Sequence, residues 1–308
     1  MSIIEKGKQN RTIALTEIEK QEILPTLPLV ADLARDSTLE NRIFLGDCLK
    51  GLDLLPPGIV DLAVIDPPYN LGKDYGVGTL EKMSIADYAL WLESWVTKLI
   101  PLLKPTASVY VCCDWRSSPL IYEVLANHFL IQNRITWERD KGRGAKKNWK
   151  NNLEDIWFAT VSPDYTFNLE AVKIKRPVIA PYRNAEGEPK DWVESPEGNY
   201  RLTHPSNLWT DITIPFWSMP ENTPHPTQKP EKLISRLILA SSHPGDLVLD
   251  PFMGVGTTAV VCAKLERRYL GFEINPDYLC YAYKRLALAS ENPQIQGLHQ
   301  GIYSPRNS

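Results

Sequence analysis

No apolar run in the chain approaches the 18 or more residues a membrane span needs. Its opening residues, MSIIEKGKQNRTI, carry no apolar core of the kind that directs export. Its five cysteines, Cys48, Cys112, Cys113, Cys262 and Cys280, form no CxxC pair and no metal-ligand spacing, so no metal site is expected. An odd count without an export signal reads as reduced thiols in a cytoplasmic protein. A marked excess of one charge is missing too: 34 basic against 37 acidic residues leave a formal net charge of −3. Any affinity for nucleic acid must therefore come from a local patch. There are no internal repeats and no low-complexity segments.

What is present is material for a core. At 308 residues and 43% hydrophobic content, the chain can bury one large core or two modest ones. Residues 1–40 are polar and helix-leaning, with LTEIEKQEIL followed by Pro25 and Pro28, and read as an N-terminal extension outside the core. From residue 41, short apolar runs alternate with amphipathic stretches, the signature of a doubly wound, mostly parallel α/β sheet. Seven strands are expected, at 43–46, 60–65, 108–113, 131–137, 154–161, 246–250 and 269–273. The helices between them carry start signals: Ser84 with Asp87 three residues on, Ser118 before Pro119, and Asn275 before Pro276. The rhythm fails between 162 and 224, a stretch rich in proline, tryptophan and charge. Irregular inserts of that length in a compact domain are usually functional. The expected organisation is an extension (1–40), two halves of one domain (41–161 and 225–291) around the insert (162–224), and a tail (292–308).

Ligands of open α/β sheets bind beyond the carboxyl ends of the strands. Four carboxylates fall there: Asp47 in IFLGDC, Asp66 in LAVIDPPY, Asp250 in LVLDPF and Glu273 in YLGFEINP. A single acid after a strand is usually a turn or cap residue. Four in one sheet ask for more. In VLDPFMGVGTTAVVCAKLERRYLGFE, a strand leads into Gly254 and Gly256, a helix starts at Thr257, and the next strand ends on Glu273. Glycines let the backbone approach a ligand closely, and the acid can accept hydrogen bonds from ribose hydroxyls. The unit points to an adenosine-containing cofactor without choosing between NAD and S-adenosylmethionine. Ala259 stands where the dinucleotide fingerprint has its third glycine.

The tetrapeptide Asp66-Pro67-Pro68-Tyr69 is more specific. Each proline fixes its own φ and restricts the residue before it, so the segment is held extended. Pro67 has no backbone N–H, which leaves acceptors facing the cleft: the Asp66 carboxylate and the Pro67 carbonyl. Tyr69 adds a flat face. An exocyclic NH2 on a nucleobase, with two donors and a ring, matches that set. The plain alternative is a proline-stiffened turn.

DPPYN at 66–70, HPTQKP at 225–230 and DPFMGVGTT at 250–258, in that order, resemble the β-group of S-adenosylmethionine-dependent DNA amino-methyltransferases. In that group the catalytic motif precedes the cofactor motif, a circular permutation, with a target-recognition region between them. The resemblance covers roughly residues 41–290. It implies S-adenosyl-L-methionine as cofactor and double-stranded DNA as substrate. It further implies that Phe252, Gly254, Gly256 and Thr257 line the cofactor, with Asp250 near its amino-acid end, Glu273 at the ribose and Asp47 at the adenosine end. Thr227 and Lys229 would lie near its methionine carboxylate; alternatively Lys229 is a solvated residue ahead of a helix. Asp66 leans toward adenine N6 within the group, with cytosine N4 as the alternative. Ring-carbon methylation would require a cysteine nucleophile, typically after proline, and no Pro-Cys dipeptide occurs.

Between Arg134 and Asn152, seven basic residues face two acids. Arg139, Lys141, Arg143, Lys146, Lys147 and Lys150 of this stretch are candidate phosphate contacts. The insert, with Tyr182, Arg183, Trp192, Trp209 and Trp217, is the candidate target-recognition region; its tryptophans fit equally the core of a small subdomain. Less favoured are an RNA or protein-glutamine methyltransferase, whose related tetrapeptides begin with Asn, and a non-enzymatic nucleotide-binding module, which leaves Asp66–Tyr69 without purpose. A cognate restriction endonuclease and a homodimer formed through the extension stay open as partners.

Overall fold

All seven expected strands form, and an eighth joins them. The computed structural model describes residues 9–35, 38–71, 82–139, 147–179, 182–196 and 198–305. In chain order these give α1 (Glu17–Ile23), β1 (Arg42–Leu45), α2 (Cys48–Leu52), β2 (Val60–Ile65), α3 (Ile85–Leu99), β3 (Leu103–Cys113), α4 (Ser118–Ala126), β4 (Leu130–Glu138) and β5 (Leu153–Thr160). The insert supplies β6 (Ile174–Pro177), β7 (Tyr200–Thr203) and β8 (Leu208–Trp209). Then come α5 (Glu231–Ser241), β9 (Leu247–Asp250), α6 (Thr257–Lys264), β10 (Arg268–Glu273), α7 (Pro276–Glu291), β11 (Leu298–His299) and β12 (Ile302–Tyr303).

The main sheet runs β1-β10-β9-β2-β3-β5-β4-β8. From β1 to β3 every pairing is parallel, β5 is antiparallel to both neighbours, and β8 adds in parallel to β4. Both faces are covered, which is why the strands read as nearly continuous apolar runs. Ala63, Ile65, Val109 and Val111 face α3 and α4, whereas Leu62, Val64, Tyr110 and Cys112 face α5 and α6. Asp61 interrupts β2 at little cost, because it pairs with Lys104 and accepts the Leu247 N–H.

The strand order places the site. Strands β2 and β9 are neighbours, but β2 leads through α3 to β3 on one side and β9 leads through α6 to β10 on the other. Oppositely directed connections open a crevice at the carboxyl ends of such a pair. Asp66 leaves β2 at that crevice and Asp250 ends β9 there.

Two expectations need correction. Residues 1–40 are not outside the core where the structure describes them: Leu27, Val30 and Leu33 are buried against the sheet. Thr16 and Glu19 form a capping box, and Lys20 and Glu19 pair with Asp277 and Lys284 of α7. In the tail, β11 and β12 join β6 and β7 in a second sheet, with Tyr303 fully buried and its hydroxyl 2.8 Å from Ser235. Helix α4 already includes Ser118, and Ser117 in the N-cap position makes no side-chain cap bond; Asp114 instead accepts from the N–H groups of Arg116 and Ser117 in the turn before it. The starts of α3 and α7 follow the sequence signals, with Ser84 and Asn275 as N-caps.

Candidate active site

Asp66 and Tyr69 meet each other across the two prolines. The Tyr69 hydroxyl lies 2.9 Å from Asp66 Oδ1, and the ring is buried at 6% exposure. Tyr88 of α3 donates to the Pro68 carbonyl at 3.1 Å, and the Asn70 amide hydrogen-bonds the Met83 backbone in both directions. The tetrapeptide is thus held by its own stiffness, by α3 and by a side-chain bridge. Lys229 reaches over it: Nζ is 2.6 Å from Asp66 Oδ2, 3.2 Å from the Tyr69 hydroxyl and 5.3 Å from the ring centre.

Across the crevice the glycine segment forms a cradle. Gly254 and Gly256 have φ of +55° and +80°, and a Cβ on Gly256 would sit 2.6 Å from that of Ala282. Only glycine meets both the left-handed backbone and the close approach of α7. The Gly254 N–H donates to Glu273 Oε2 at 2.7 Å, while Asn275 donates to Oε1 at 2.7 Å. Asp250 accepts from Phe252 N–H at 3.0 Å and from the Thr258 hydroxyl at 2.6 Å. Burial pushes Glu273 up to about 7 against the hydrogen bonds from Asn275 and Gly254. Burial likewise pushes Asp250 up to about 7 against Thr258 and Phe252. Two carboxylates poised near neutrality in one crevice mark a site built to meet polar ligand groups.

A cavity of about 310 Å³ connects these parts. Its walls include Asp66, Pro67, Pro68, Tyr69, Asp47, Asp250, Phe252, Gly254, Thr257, Glu273, Thr227 and Lys229, whereas Gly256 lies behind the wall as the N-cap of α6. Asp47 also caps α2, accepting from Leu49 at 3.0 Å. The Thr257 hydroxyl accepts from Arg285 at 2.9 Å, and the Thr227 N–H donates to His225 Nδ1 at 3.3 Å. Lys229 lines the same cavity and is buried, which rules out the solvated alternative. Its ammonium is held between Asp66 and Glu154 of β5, which lies 3.4 Å away. A buried lysine goes to the nearest carboxylates, and two are within reach.

A second cavity, also about 310 Å³, opens on the other side of the HPTQKP segment and shares His225, Thr227, Gln228 and Lys229 with the first. Trp137, Arg139, Glu154 and Asn222 line it. Glu154 was not among the candidates, since an acid at the head of an apolar strand looks in sequence like any solvent-facing strand start. Arg139, part-exposed, has its guanidinium 2.6 Å from Glu154. Lys147 and Lys150 are exposed and flank Trp149, itself 93% exposed; Lys141, Arg143 and Lys146 lie outside the described residues. In the insert, Trp192 and Trp209 are buried, the latter under Arg236, while Trp217 is half-exposed. Two of the three tryptophans therefore serve packing.

The PvuII DNA methyltransferase, described as cytosine-N4-specific, shares this fold with a TM-score of 0.60 at 19% identity over 79% of this chain and 85% of that one. TTHA0409 from Thermus thermophilus, solved with S-adenosyl-L-methionine, aligns with a TM-score of 0.54 at 21% identity over 86% and 97% of the two chains. The fold is that of the class I methyltransferases. Sequence likeness narrows the class. DNA adenine methyltransferase YhdJ of Escherichia coli (strain K12) is 35% identical over 253 residues, 81% of this chain and 84% of that protein. Type II methyltransferase M.HpaI of Haemophilus parainfluenzae is 34% identical over 251 residues, 80% and 74% of the two chains. The chain belongs to the DNA methylase family of N6-adenine and N4-cytosine methyltransferases, whose pattern it matches over residues 60–284.

Proposed function

We propose that the chain methylates an exocyclic amino nitrogen of a flipped base in double-stranded DNA, with S-adenosyl-L-methionine as donor and adenine N6 as the favoured target. The observation that carries this reading is the placement of Asp66–Tyr69 beside the Gly254–Glu273 cradle, on the walls of one cavity. The residues fit the cofactor. Gly254 lines the cavity in left-handed backbone, and Glu273 and Asp250 are carboxylates buried in the cavity wall, suited to accept from hydroxyl and ammonium donors. Asp47, Phe252, Gly254, Thr257 and Thr227 complete the walls that would hold it. When bound, the cofactor supplies a methyl group on a positively charged sulfur.

The rest falls to the chain. An amino group inside a duplex cannot reach the crevice, so the base must be extruded at about a few kcal/mol. Stacking on the Tyr69 face returns roughly 1–3 kcal/mol. The amino lone pair is delocalised into the ring. Hydrogen bonds donated by its two N–H groups to the Asp66 carboxylate and the Pro67 carbonyl favour a pyramidal nitrogen with its lone pair directed across the crevice. Positioning then supplies much of the acceleration. Asp66 in the first position and the adenine-named relative favour N6 over cytosine N4. No thiolate route competes: all five cysteines are buried, and burial raises each thiol, Cys48 to about 12.

The test is transfer of labelled methyl from the cofactor to duplex DNA by the wild type and by Asp66→Ala. Wild-type transfer with a loss of about 10²-fold or more in the variant is expected. Transfer retained in Asp66→Ala removes Asp66 from the chemistry. Expression in a methylation-free host, followed by sequencing of modified bases, identifies the base and its context.

A further inference from the structure

Four charged side chains alternate in sign along the wall between the two cavities. Arg139 Nη1 is 2.6 Å from Glu154 Oε1, Glu154 Oε2 is 3.4 Å from Lys229 Nζ, and Lys229 Nζ is 2.6 Å from Asp66 Oδ2. Tyr69 closes the arrangement, its hydroxyl 2.9 Å from Asp66 and 3.4 Å from Glu154. The side chains of Glu154 and Lys229 are only 5% and 6% exposed. A carboxylate withdrawn from water costs several kcal/mol or so unless charged partners compensate it. One oxygen of Glu154 is matched by Arg139. The other faces the ammonium that touches Asp66.

We propose that Glu154 is a positioning residue, holding the Lys229 ammonium against Asp66 and Tyr69 so that the acceptor carboxylate keeps one orientation toward an incoming amino group. This rests on the reading of Asp66 as that acceptor. A lysine ammonium has three rotatable donors on a flexible four-carbon stem, and a single carboxylate does not fix it. Here it meets three acceptors on two elements: Asp66 and Tyr69 after β2, and Glu154 on β5. Cys112 of β3 also faces it, and Arg139 stands behind Glu154. Burial opposes the charge on Lys229, but Asp66 and Glu154 outweigh it and hold the ammonium above its ordinary range. Loss of Glu154 removes one of the two carboxylates while the burial stays.

Two measurements on the full chain test this. The first follows the lysine 13Cε resonance of Lys229, assigned by its disappearance in Lys229→Arg, against pH. In the wild type it does not titrate below about pH 10.4, the ordinary lysine value. In Glu154→Gln its midpoint falls by about one pH unit or more. The second is methyl transfer to duplex DNA. Glu154→Gln lowers kcat by about 10- to 100-fold, with an alkaline limb that tracks the NMR midpoint, leaves the KM for cofactor within about twofold, and is partly rescued by Glu154→Asp. An unmoved midpoint overturns the proposal, as does a lowered midpoint with kcat intact. Absence of transfer by the wild type refutes the acceptor reading instead, and the NMR midpoint alone then decides the clamp. Where Glu154→Gln does not fold, Glu154→Asp carries both measurements, with smaller shifts in the same directions.

Discussion

Glu273 shows what a single buried carboxylate contributes to this site. Burial raises it to about 7, against the hydrogen bonds it accepts from Asn275 and Gly254. A carboxyl raised in the folded state stabilises fully below its unfolded value, about 4.3, and that contribution is lost as pH rises through about 7. The ligand-free protein should therefore lose thermal stability between about pH 4.3 and 7, and Glu273→Gln should flatten that slope. Asp250, raised in the same direction, leaves a residual dependence. Ribose hydroxyls want the ionised form as acceptor, so cofactor affinity should rise over the same interval with release of a proton. Calorimetry in buffers of different ionisation enthalpy checks both. An affinity independent of pH in the wild type would place Glu273 away from the ligand. At this scale Asp66 and Glu273 were legible because each follows an apolar run at a strand end. Glu154 was not, because burial of an acid depends on the partners brought to it, here Arg139 from the end of β4 and Lys229 from the distant HPTQKP segment.

Strands were easier to read than helices for a physical reason. A strand buried on both faces is a nearly unbroken apolar run, as in Leu62–Ile65, and its ends are marked by the residues that must stop pairing. The segment ahead of β1 gave no such run. Its buried residues Leu27, Val30 and Leu33 recur every three positions in short tight turns, in a segment broken by Pro25 and Pro28. The glycine cradle was legible as a pattern, but the reason for Gly256 lies in α7, 26 residues away: its missing Cβ is the space taken by Ala282. Gly256→Ala forces both a left-handed backbone onto a substituted residue and a contact of 2.6 Å. The strain alone is worth roughly 1–3 kcal/mol. A fall in melting temperature of several degrees is expected, with weaker cofactor binding. Adding Ala282→Gly should recover the steric part and leave the backbone part. Full recovery in the double variant would show that φ at this position costs nothing.

Across the whole molecule, the formal charge of −3 sets the problem that DNA binding has to solve. Arg139 is paired with Glu154, so on the proposed reading phosphate contact would rest on Lys147 and Lys150, which stand exposed around Trp149. A cation that neutralises one phosphate of a duplex releases condensed counterions and adds about 0.9 to the slope of log K against log salt. Lys147→Ala and Lys150→Ala should each lower that slope by about that amount and weaken binding by a similar factor on any duplex, specific or not. Methyl transfer at saturating DNA should change little, since neither side chain lines the two cavities. Arg139→Ala should behave in the opposite way, with a salt slope close to the wild type and a loss of kcat, because its partner is Glu154. If Arg139→Ala lowers the slope as the lysines do, its guanidinium leaves Glu154 for a phosphate when DNA binds, and the basic segment and the acceptor carboxylate are then mechanically linked.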